Sequence, residues 1–300
     1  MDRNTRKIIF VLLALLSMLT GRVWGDQGPG DHLRIYVVSD AHVGNSDRGE
    51  DMAAFARLCN INMPDIVIDL GDTIETGITA LYDKDSHREA SLSQQRDWLA
   101  AWNDILVKNK AVALGNRDVG PVTEGYSYPL SEQEWIEALG YQDRTPRGGS
   151  KLQSSFKVTG GGLEALVFVI CDDCEGFSKV ETLDWIMDEA DDFRGDWIIF
   201  VSHKPEIYED IRVSMARNKF RVPALFLHGH NHGPDTLVRD AWGFEREPSD
   251  FPSYLVAPLM GTGVAVKFQL YADGNYERFR IDVRNRKISQ PAVHYRIFAE

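Results

Sequence analysis

The chain has 300 residues, of which 43% are hydrophobic, and this is enough apolar surface for one large domain or two small ones. Its formal charge is −12 at pH 7, which excludes binding to nucleic acid through bulk electrostatics. A small local cationic site is still compatible with that charge. Nothing in the composition indicates a disordered protein.

The first 25 residues have the pattern of a secretory signal peptide. Three basic residues precede the apolar run IIFVLLALLSML, and small residues that suit a signal peptidase end at Gly25. The apolar run, residues 8–19, is too short to span a bilayer comfortably, so an uncleaved anchor is the weaker interpretation. Cleavage would remove four basic residues and one Asp, leaving a mature chain at −15 without a stable membrane span. The sequence predicts an exported protein, periplasmic or secreted, with a single domain over residues 31–300.

Five apolar, β-rich runs each end abruptly in polar residues of the kind that bind metals. LRIYVVS runs into Asp40-Ala41-His42, DIVIDL into Gly71-Asp72, AVAL into Gly115-Asn116, WIIFVS into His203, and VPALFL into HGHNHG at 228–233. Amphipathic segments at 50–58, 94–106 and 180–190 have the 3.6-residue period of helices. Alternating strands and helices predict an α/β fold, in which the strand ends converge on one crevice.

Two further regions interrupt this alternation. Residues 119–162 are interpreted as an excursion that could cover the site, because they contain a capping box, SEQE at 131–134, and the turn sequences RGGS and TGGG. After Gly233 the sequence predicts antiparallel strands, with a hairpin turn at residues 272–275.

Three cysteines in an exported chain leave at least one unpaired. Cys171 and Cys174 have the spacing C-x-x-C and could form a small disulfide or remain buried thiols. No second C-x-x-C completes a zinc knuckle. Cys59 lies in a predicted helix, where a packing role is the simplest interpretation.

The polar strand ends supply carboxylate, imidazole and amide groups but no thiolate. This donor chemistry suits Mn, Fe or Zn ions. Seven side chains exceed what one tetrahedral site needs, whereas a two-metal site with one shared carboxylate uses them all. The seven candidate ligands are Asp40, His42, Asp72, Asn116, His203, His230 and His232.

The order of these motifs, D-x-H, G-D, G-N-x-D, a single His after a strand and G-H-x-H, resembles the calcineurin-like metallophosphoesterase family from about Leu33 to His232. The resemblance implies a β-sandwich flanked by helices. It also implies hydrolysis of a phosphomonoester or phosphodiester, in a small molecule or a protein, by in-line attack of a metal-bridging hydroxide. By the family pattern, Asp40, His42 and His232 hold one metal ion, Asn116, His203 and His230 hold the other, and Asp72 bridges them. His228 matches no ligand position and is assigned a packing or supporting role, and Asp69 a structural one.

The residue after the Gly-Asn pair departs from the family pattern. Most members have a histidine there, thought to touch the scissile phosphate and help protonate the leaving oxygen, whereas this chain has Arg117. A guanidinium donates hydrogen bonds but is a very poor proton donor, so Arg117 would act electrostatically. Asp118, which supports the histidine in the family, would orient Arg117 through a bidentate pair. Alternatively, the two residues form only a structural ion pair behind the metals.

Two functions are compatible with these motifs. The first is an exported metal-dependent phosphoesterase in which Arg117 and Asp118 have catalytic roles. The alternative is a degenerate, non-catalytic metal-binding scaffold or interaction module of the same fold. A scaffold has no physical reason to keep seven metal ligands, and all seven are present, which favours the enzyme. Monoester and diester substrates are both compatible with the sequence, and the oligomeric state is left open.

Overall fold

The computed structural model describes residues 31–44, 49–76, 84–121, 129–220, 222–233, 236–237, 251–289 and 293–296. They belong to one compact unit, Asp31–Glu300. The predicted signal peptide, residues 1–25, lies outside the described residues and stays a prediction. Among the described helices, none combines the length and the apolar character needed to cross a membrane.

The first sheet has seven strands, and its centre is parallel. Its members are β1 (His32–Val38), β2 (Ile66–Asp69), β3 (Lys110–Val112), β10 (Val264–Tyr271), β11 (Asn275–Asp282), β12 (Lys287–Ile288) and β13 (Val293–Arg296). The order is β12-β11-β10-β1-β2-β3, and β13 also pairs with β11. Strands β1, β2 and β3 are parallel, whereas β10 and β11 run antiparallel to their neighbours and form the predicted hairpin.

The second sheet has six strands in the order β4-β5-β6-β7-β9-β8. They are β4 (Ser154–Gly160), β5 (Leu163–Val169), β6 (Trp197–Val201), β7 (Ala224–His228), β8 (Thr236–Leu237) and β9 (Ser253–Leu255). Strands β5, β6, β7 and β9 are parallel, and the outer strands β4 and β8 are antiparallel to their partners.

The two sheets pack face to face, and helices cover their outer faces. Alternate residues of β1, Leu33, Ile35 and Val37, point into a core shared with β5, β6 and β7 of the other sheet. The described helices are α1 (Glu50–Asn62), α2 (Lys84–Asn103), α3 (Glu132–Leu139), α4 (Lys179–Asp192) and α5 (Tyr208–Arg217). The first three pack on the first sheet, and α4 and α5 on the second. This confirms the predicted β-sandwich flanked by helices.

One expectation about local structure is confirmed and another is wrong in part. Ser131 and Glu134 form the predicted capping box at the start of α3. The segment 119–162 is not wholly an excursion, however, because β4 pairs along its whole length with β5 and buries Val158 in the sandwich core. The glycine-rich turns on either side of β4 conceal this edge strand in the sequence, since they have the composition of a loop.

Candidate metal centre

The seven predicted ligands lie in the loops that follow five parallel strands. Asp40 and His42 follow β1, Asp72 follows β2, Asn116 follows β3, His203 follows β6, and His230 and His232 follow β7. Three of these loops belong to the first sheet and two to the second. The carboxyl ends of parallel strands therefore bring the predicted ligands together at one edge of the sandwich.

The first ligand group, defined here as Asp40, His42, Asp72 and His232, has donor atoms within 4.8 Å of one another. The Nε2 atoms of His42 and His232 are 3.0 Å apart, and the His232 Nε2 atom is 3.1 Å from Asp40 Oδ1. The His42 Nε2 atom is 3.8 Å from Asp72 Oδ2. Such convergence of two imidazoles and two carboxylates could hold a metal ion.

The second ligand group, defined here as Asp72, Asn116, His203 and His230, shares Asp72 with the first. The donor atoms of Asp72, His203 and His230 also lie within 4.8 Å of one another. The His203 Nε2 atom is 3.4 Å from Asp72 Oδ1 and 3.2 Å from His230 Nδ1. Asn116 is adjacent, because the backbone N–H of Arg117 donates to Asp72 Oδ1 at 2.8 Å. A carboxylate common to two groups is the arrangement that a two-metal site requires.

The residues present fit a pair of metal ions. The buried Oδ1 atom of Asn116 accepts no hydrogen bond from any described residue, which is costly unless a ligand satisfies it. Of the nine non-glycine residues with positive φ in the described part of the chain, five are predicted ligands: Asp40, His42, Asp72, His230 and His232. Such backbone conformations are strained and cluster at functional sites.

Two glycines allow the ligand loops to approach closely. A Cβ atom on Gly115 would lie 2.5 Å from Asp72 Oδ1 and 2.6 Å from the His203 ring. A Cβ atom on Gly229 would collide with Ser39 and lie 2.6 Å from Asp40 Oδ2. The glycines of the G-N and G-H-x-H motifs are therefore needed because no side chain fits between the ligands.

The carboxylates and imidazoles perturb one another strongly. Burial alone would raise the pKa of Asp40, but the adjacent imidazoles of His232 and His42 hold that pKa well below its usual range. Burial alone would lower the pKa of His42, but the nearby carboxylates of Asp40 and Glu75 raise it to about 9. The charge of Asp72 likewise overcomes burial and raises the pKa of His203 to about 10. These carboxylates stabilise positive charge, and a bound cation would replace the protons on the imidazoles.

Two imidazoles are oriented through their second ring nitrogen. The His203 Nδ1 atom lies 2.8 Å from the carbonyl oxygen of Leu70, which directs its Nε2 atom towards Asp72. The His42 Nδ1 atom lies 2.8 Å from Glu75 Oε2. Polar contacts of this kind at the second ring nitrogen fix the tautomer and the ring orientation of metal-binding histidines.

Asp118 and Arg117 do not form the expected bidentate pair, nor the alternative structural ion pair. Asp118 Oδ1 accepts hydrogen bonds from the backbone N–H and hydroxyl of Thr73, and Asp118 Oδ2 accepts one from the backbone N–H of Gly115. Arg117 is buried, and its Nη1 atom lies 3.8 Å from Glu75 Oε1. Asp118 therefore ties the loop that carries Asp72 to the loop that carries Asn116.

Glu75 is the residue that the sequence interpretation missed. It faces both His42 and Arg117, although it matches none of the motifs used to select candidates. The available signal was its position three residues after Asp72, where a carboxylate stays close to the ligands.

His228 is buried beside the Phe226 ring, and its Nδ1 atom lies 3.2 Å from the Gly229 carbonyl oxygen. Asp69 accepts hydrogen bonds from Gly71 and Trp98, in agreement with a structural role.

Cys171 and Cys174 form a disulfide beside the second ligand group, whereas Cys59 is a buried free thiol. The Cys171 Sγ atom lies 3.9 Å from the carbonyl oxygen of Leu114, two residues before Asn116. Between the two cysteines, Asp173 forms an ion pair with Lys204, the residue after His203. The disulfide loop therefore contacts the ends of both β3 and β6.

The fold is similar to that of several solved structures at low sequence identity. A purple acid phosphatase, PPD1, from yellow lupin (Lupinus luteus) matches with a TM-score of 0.58 and 13% identity over 87% of this chain and 53% of the lupin chain. This chain thus spans about half the length of the lupin enzyme. A dimetal phosphatase from Danio rerio matches with a TM-score of 0.54 and 12% identity over 82% of this chain and 95% of its own.

A third similar structure is GAP50, described as the anchor in the inner membrane complex of Plasmodium. It matches with a TM-score of 0.52 and 12% identity over 88% of both chains.

The search among curated proteins found no match. The sequence profile of the calcineurin-like phosphoesterases matches residues 33–234, which include all seven predicted ligands. The chain therefore belongs to the calcineurin-like phosphoesterase family.

Proposed function

We propose that this chain is an exported, metal-dependent phosphoesterase that hydrolyses a phosphomonoester or a phosphodiester. The observation that carries the proposal is the pair of converging ligand groups that share Asp72. Membership of the phosphoesterase family supports it. We assign the seven ligands to two ions, of Mn, Fe or Zn, with Asp72 as the bridge.

The bound ions would supply Lewis acidity towards a phosphoryl oxygen and would lower the pKa of coordinated water. The chain's own residues position the ligands for this chemistry. Asp118 ties the loop after β2 to Gly115, and the Leu70 carbonyl oxygen orients His203. Because these supporting contacts are buried, the ligands need little rearrangement when the ions bind.

Arg117 is assigned the stabilisation of negative charge on the phosphoryl group. Its backbone follows Asn116, and its backbone N–H donates to Asp72, so the main chain of Arg117 lies beside the predicted ligands. A guanidinium cannot serve as an effective general acid near neutral pH. We therefore expect the rate to fall more steeply, as the leaving alcohol becomes more basic, than in relatives that have histidine at this position. Similar rates with alkyl and aryl phosphates would contradict this role.

A specific observation favours the second candidate function, a non-catalytic scaffold. GAP50, described as an anchor, has a similar fold over 88% of both chains. A protein of this fold can therefore serve as an anchor. Two other observations support the enzymatic function: all seven predicted ligands are present, and five of them have a strained backbone conformation.

Metal analysis coupled to a panel of phosphomonoesters and phosphodiesters decides between the two functions. The phosphoesterase should bind two ions and hydrolyse at least one substrate class, and the Asp72→Asn variant should be inactive. Two bound ions without turnover on any substrate of the panel would favour the scaffold. Replacing Arg117 with His should increase the rate on poor leaving groups if a proton donor is what the chain lacks.

The proposed export has a separate test. The chain should be cleaved after Gly25 when it is produced with its leader in a host that has a signal peptidase. N-terminal sequencing should then begin at Asp26. An uncleaved chain that remains with the membrane fraction would contradict export in soluble form.

A further inference from the structure

Glu75 occupies the space between a predicted metal ligand and Arg117. Its Oε2 atom is 2.8 Å from His42 Nδ1, and its Oε1 atom is 3.8 Å from Arg117 Nη1. The same guanidinium nitrogen donates to the backbone carbonyl oxygen of Glu75 at 3.4 Å. The Glu75 side chain is only 14% exposed. One carboxylate therefore contacts two groups that come from different strands of the first sheet.

The backbone on which Glu75 lies is held in a fixed register. Val43 and Ile74 form a parallel β-bridge, and the backbone N–H of Glu75 donates to the Val43 carbonyl oxygen at 3.2 Å. The N–H groups of Thr73 and Ile74 donate to the buried carboxylate of Asp118. The loop after β2 thus runs alongside the loop after β1, so Glu75 is placed by backbone contacts and not by its own side-chain preferences.

The charges at this site favour a carboxylate between His42 and Arg117. Arg117 is a permanent cation next to a cluster assigned to two metal cations, and like charges at close range in a buried site repel strongly. A carboxylate beside the guanidinium offsets that repulsion and limits the positions that the guanidinium can take. At the other end, an acceptor for the Nδ1–H of His42 leaves its Nε2 lone pair directed at the first ligand group.

We propose that Glu75 is a positioning residue that couples the first ligand group to Arg117: one oxygen orients His42 for the metal, and the other holds Arg117 beside the phosphate-binding position. The inference rests on the proposed function, because it presumes a metal pair and a bound phosphoryl group. It explains how an arginine is accommodated where most of the family has a histidine. Arg117 and Glu75 are then a matched pair, and neither works fully without the other.

The test measures binding, so that it does not depend on turnover. Metal-free protein is titrated calorimetrically with Mn²⁺, for the wild type, Glu75→Gln and Arg117→Met. Glu75→Gln should weaken one of the two Mn²⁺ sites by about 10- to 100-fold, because an amide is a poorer acceptor for His42. Arg117→Met should leave both Mn²⁺ sites within about threefold of the wild type or tighten them, since it removes a neighbouring cation.

The coupling itself is measured with inorganic phosphate on the Mn²⁺-loaded proteins, including the double variant. If Glu75 holds Arg117 in place, Arg117→Met should weaken phosphate binding clearly in the wild-type background and much less in the Glu75→Gln background. Glu189→Gln is the matched control, because Glu189 is also a partly buried carboxylate paired with an arginine, Arg147, outside the site. It should change neither Mn²⁺ nor phosphate binding.

Unchanged Mn²⁺ affinity in Glu75→Gln, or strictly additive effects on phosphate binding, would overturn the inference. If Glu75→Gln does not fold, Glu75→Asp replaces it in both measurements, and the shorter carboxylate should weaken the same Mn²⁺ site. Failure of the proposed function has a different signature. A wild-type protein that binds Mn²⁺ and phosphate but hydrolyses no phosphoester would refute the enzyme and leave the role of Glu75 open to the same two measurements.

Discussion

The two ligand groups share Asp72 but differ in charge. The first contains two carboxylates and has a third, Glu75, whose Oε2 atom lies 2.8 Å from His42 Nδ1. The second has the shared carboxylate, an amide and two imidazoles, and each group has one imidazole that is not buried, His232 in the first and His230 in the second. More negative charge in a buried site holds a cation more tightly. Two sites that share one carboxylate therefore need not bind equally, and the second should exchange its ion more readily.

The largest effect is expected from removing the bridge. Asp72→Asn takes one negative charge from both groups, so both ions should bind weakly and turnover should fall by about 1000-fold or more. Bound metal per chain and the initial rate measure the two effects. Asp184→Asn, on the exposed face of α4, is the control and should change neither. If one ion stays bound with full affinity, Asp72 is not shared.

The next largest effect separates the two groups. Asp40→Asn should weaken the tighter Mn²⁺ site by about 100-fold, or roughly 3 kcal/mol, since it removes one of the negative charges next to the ion. Asn116→Ala removes a neutral ligand and should weaken only the other site, by about 10-fold. A chelator titration should release two ions in two steps from the wild type. A single step for both ions would contradict the difference between the groups.

A smaller effect concerns His228, which lies next to the second group. Burial lowers the pKa of this imidazole to about 4, whereas in the unfolded chain it has its ordinary value of 6.5. Neutral His228 is therefore compatible with the folded state above pH 6.5. As the pH falls towards 4, the unfolded chain takes up a proton that the folded chain does not, and the unfolding free energy decreases by about 3 kcal/mol in all. Urea unfolding of metal-free protein across this range should show a flatter pH profile for His228→Leu. Parallel profiles would show that His228 does not titrate in this way.

The smallest effect is expected at the disulfide. Cys171 and Cys174 close a very short loop, so their reduction should cost only about 2 kcal/mol of unfolding free energy. Because Cys171 contacts Leu114 near Asn116, the double Ser variant should weaken the second metal site by less than about 10-fold and leave the first unchanged. An effect of the double Ser variant on the first site alone would contradict this placement.

The convergence of the candidate ligands could be predicted because each follows a strongly apolar strand in a motif of local sequence. Which strands share a sheet was not predictable from periodicity, since strands buried on both faces look alike in either sheet. The sandwich was expected only through the family resemblance. Edge strand β4 was missed because the glycine-rich turns on either side have the composition of a loop.

The partners of Arg117 and Asp118 could not be predicted, because adjacent residues in a turn point in different directions. Asp118 is the neighbour of Arg117 in sequence, yet its carboxylate is satisfied by Thr73, Ile74 and Gly115. Glu75 is 42 residues from Arg117 and reaches it only because the loops after β2 and β3 lie side by side. Such a contact is a property of the assembled loops and leaves no trace in local sequence.

Each ligand group takes side chains from both sheets, and this has a consequence for the order of folding. His42 and His232, whose Nε2 atoms meet at 3.0 Å, are 190 residues apart in the chain. No metal site of full affinity can exist until both sheets have formed and docked, because loop closure over that distance must come first. Metal binding would then be a late, reversible step that stabilises the docking of the two sheets. Removal of the ions by a chelator should increase local unfolding first at this edge of the sandwich.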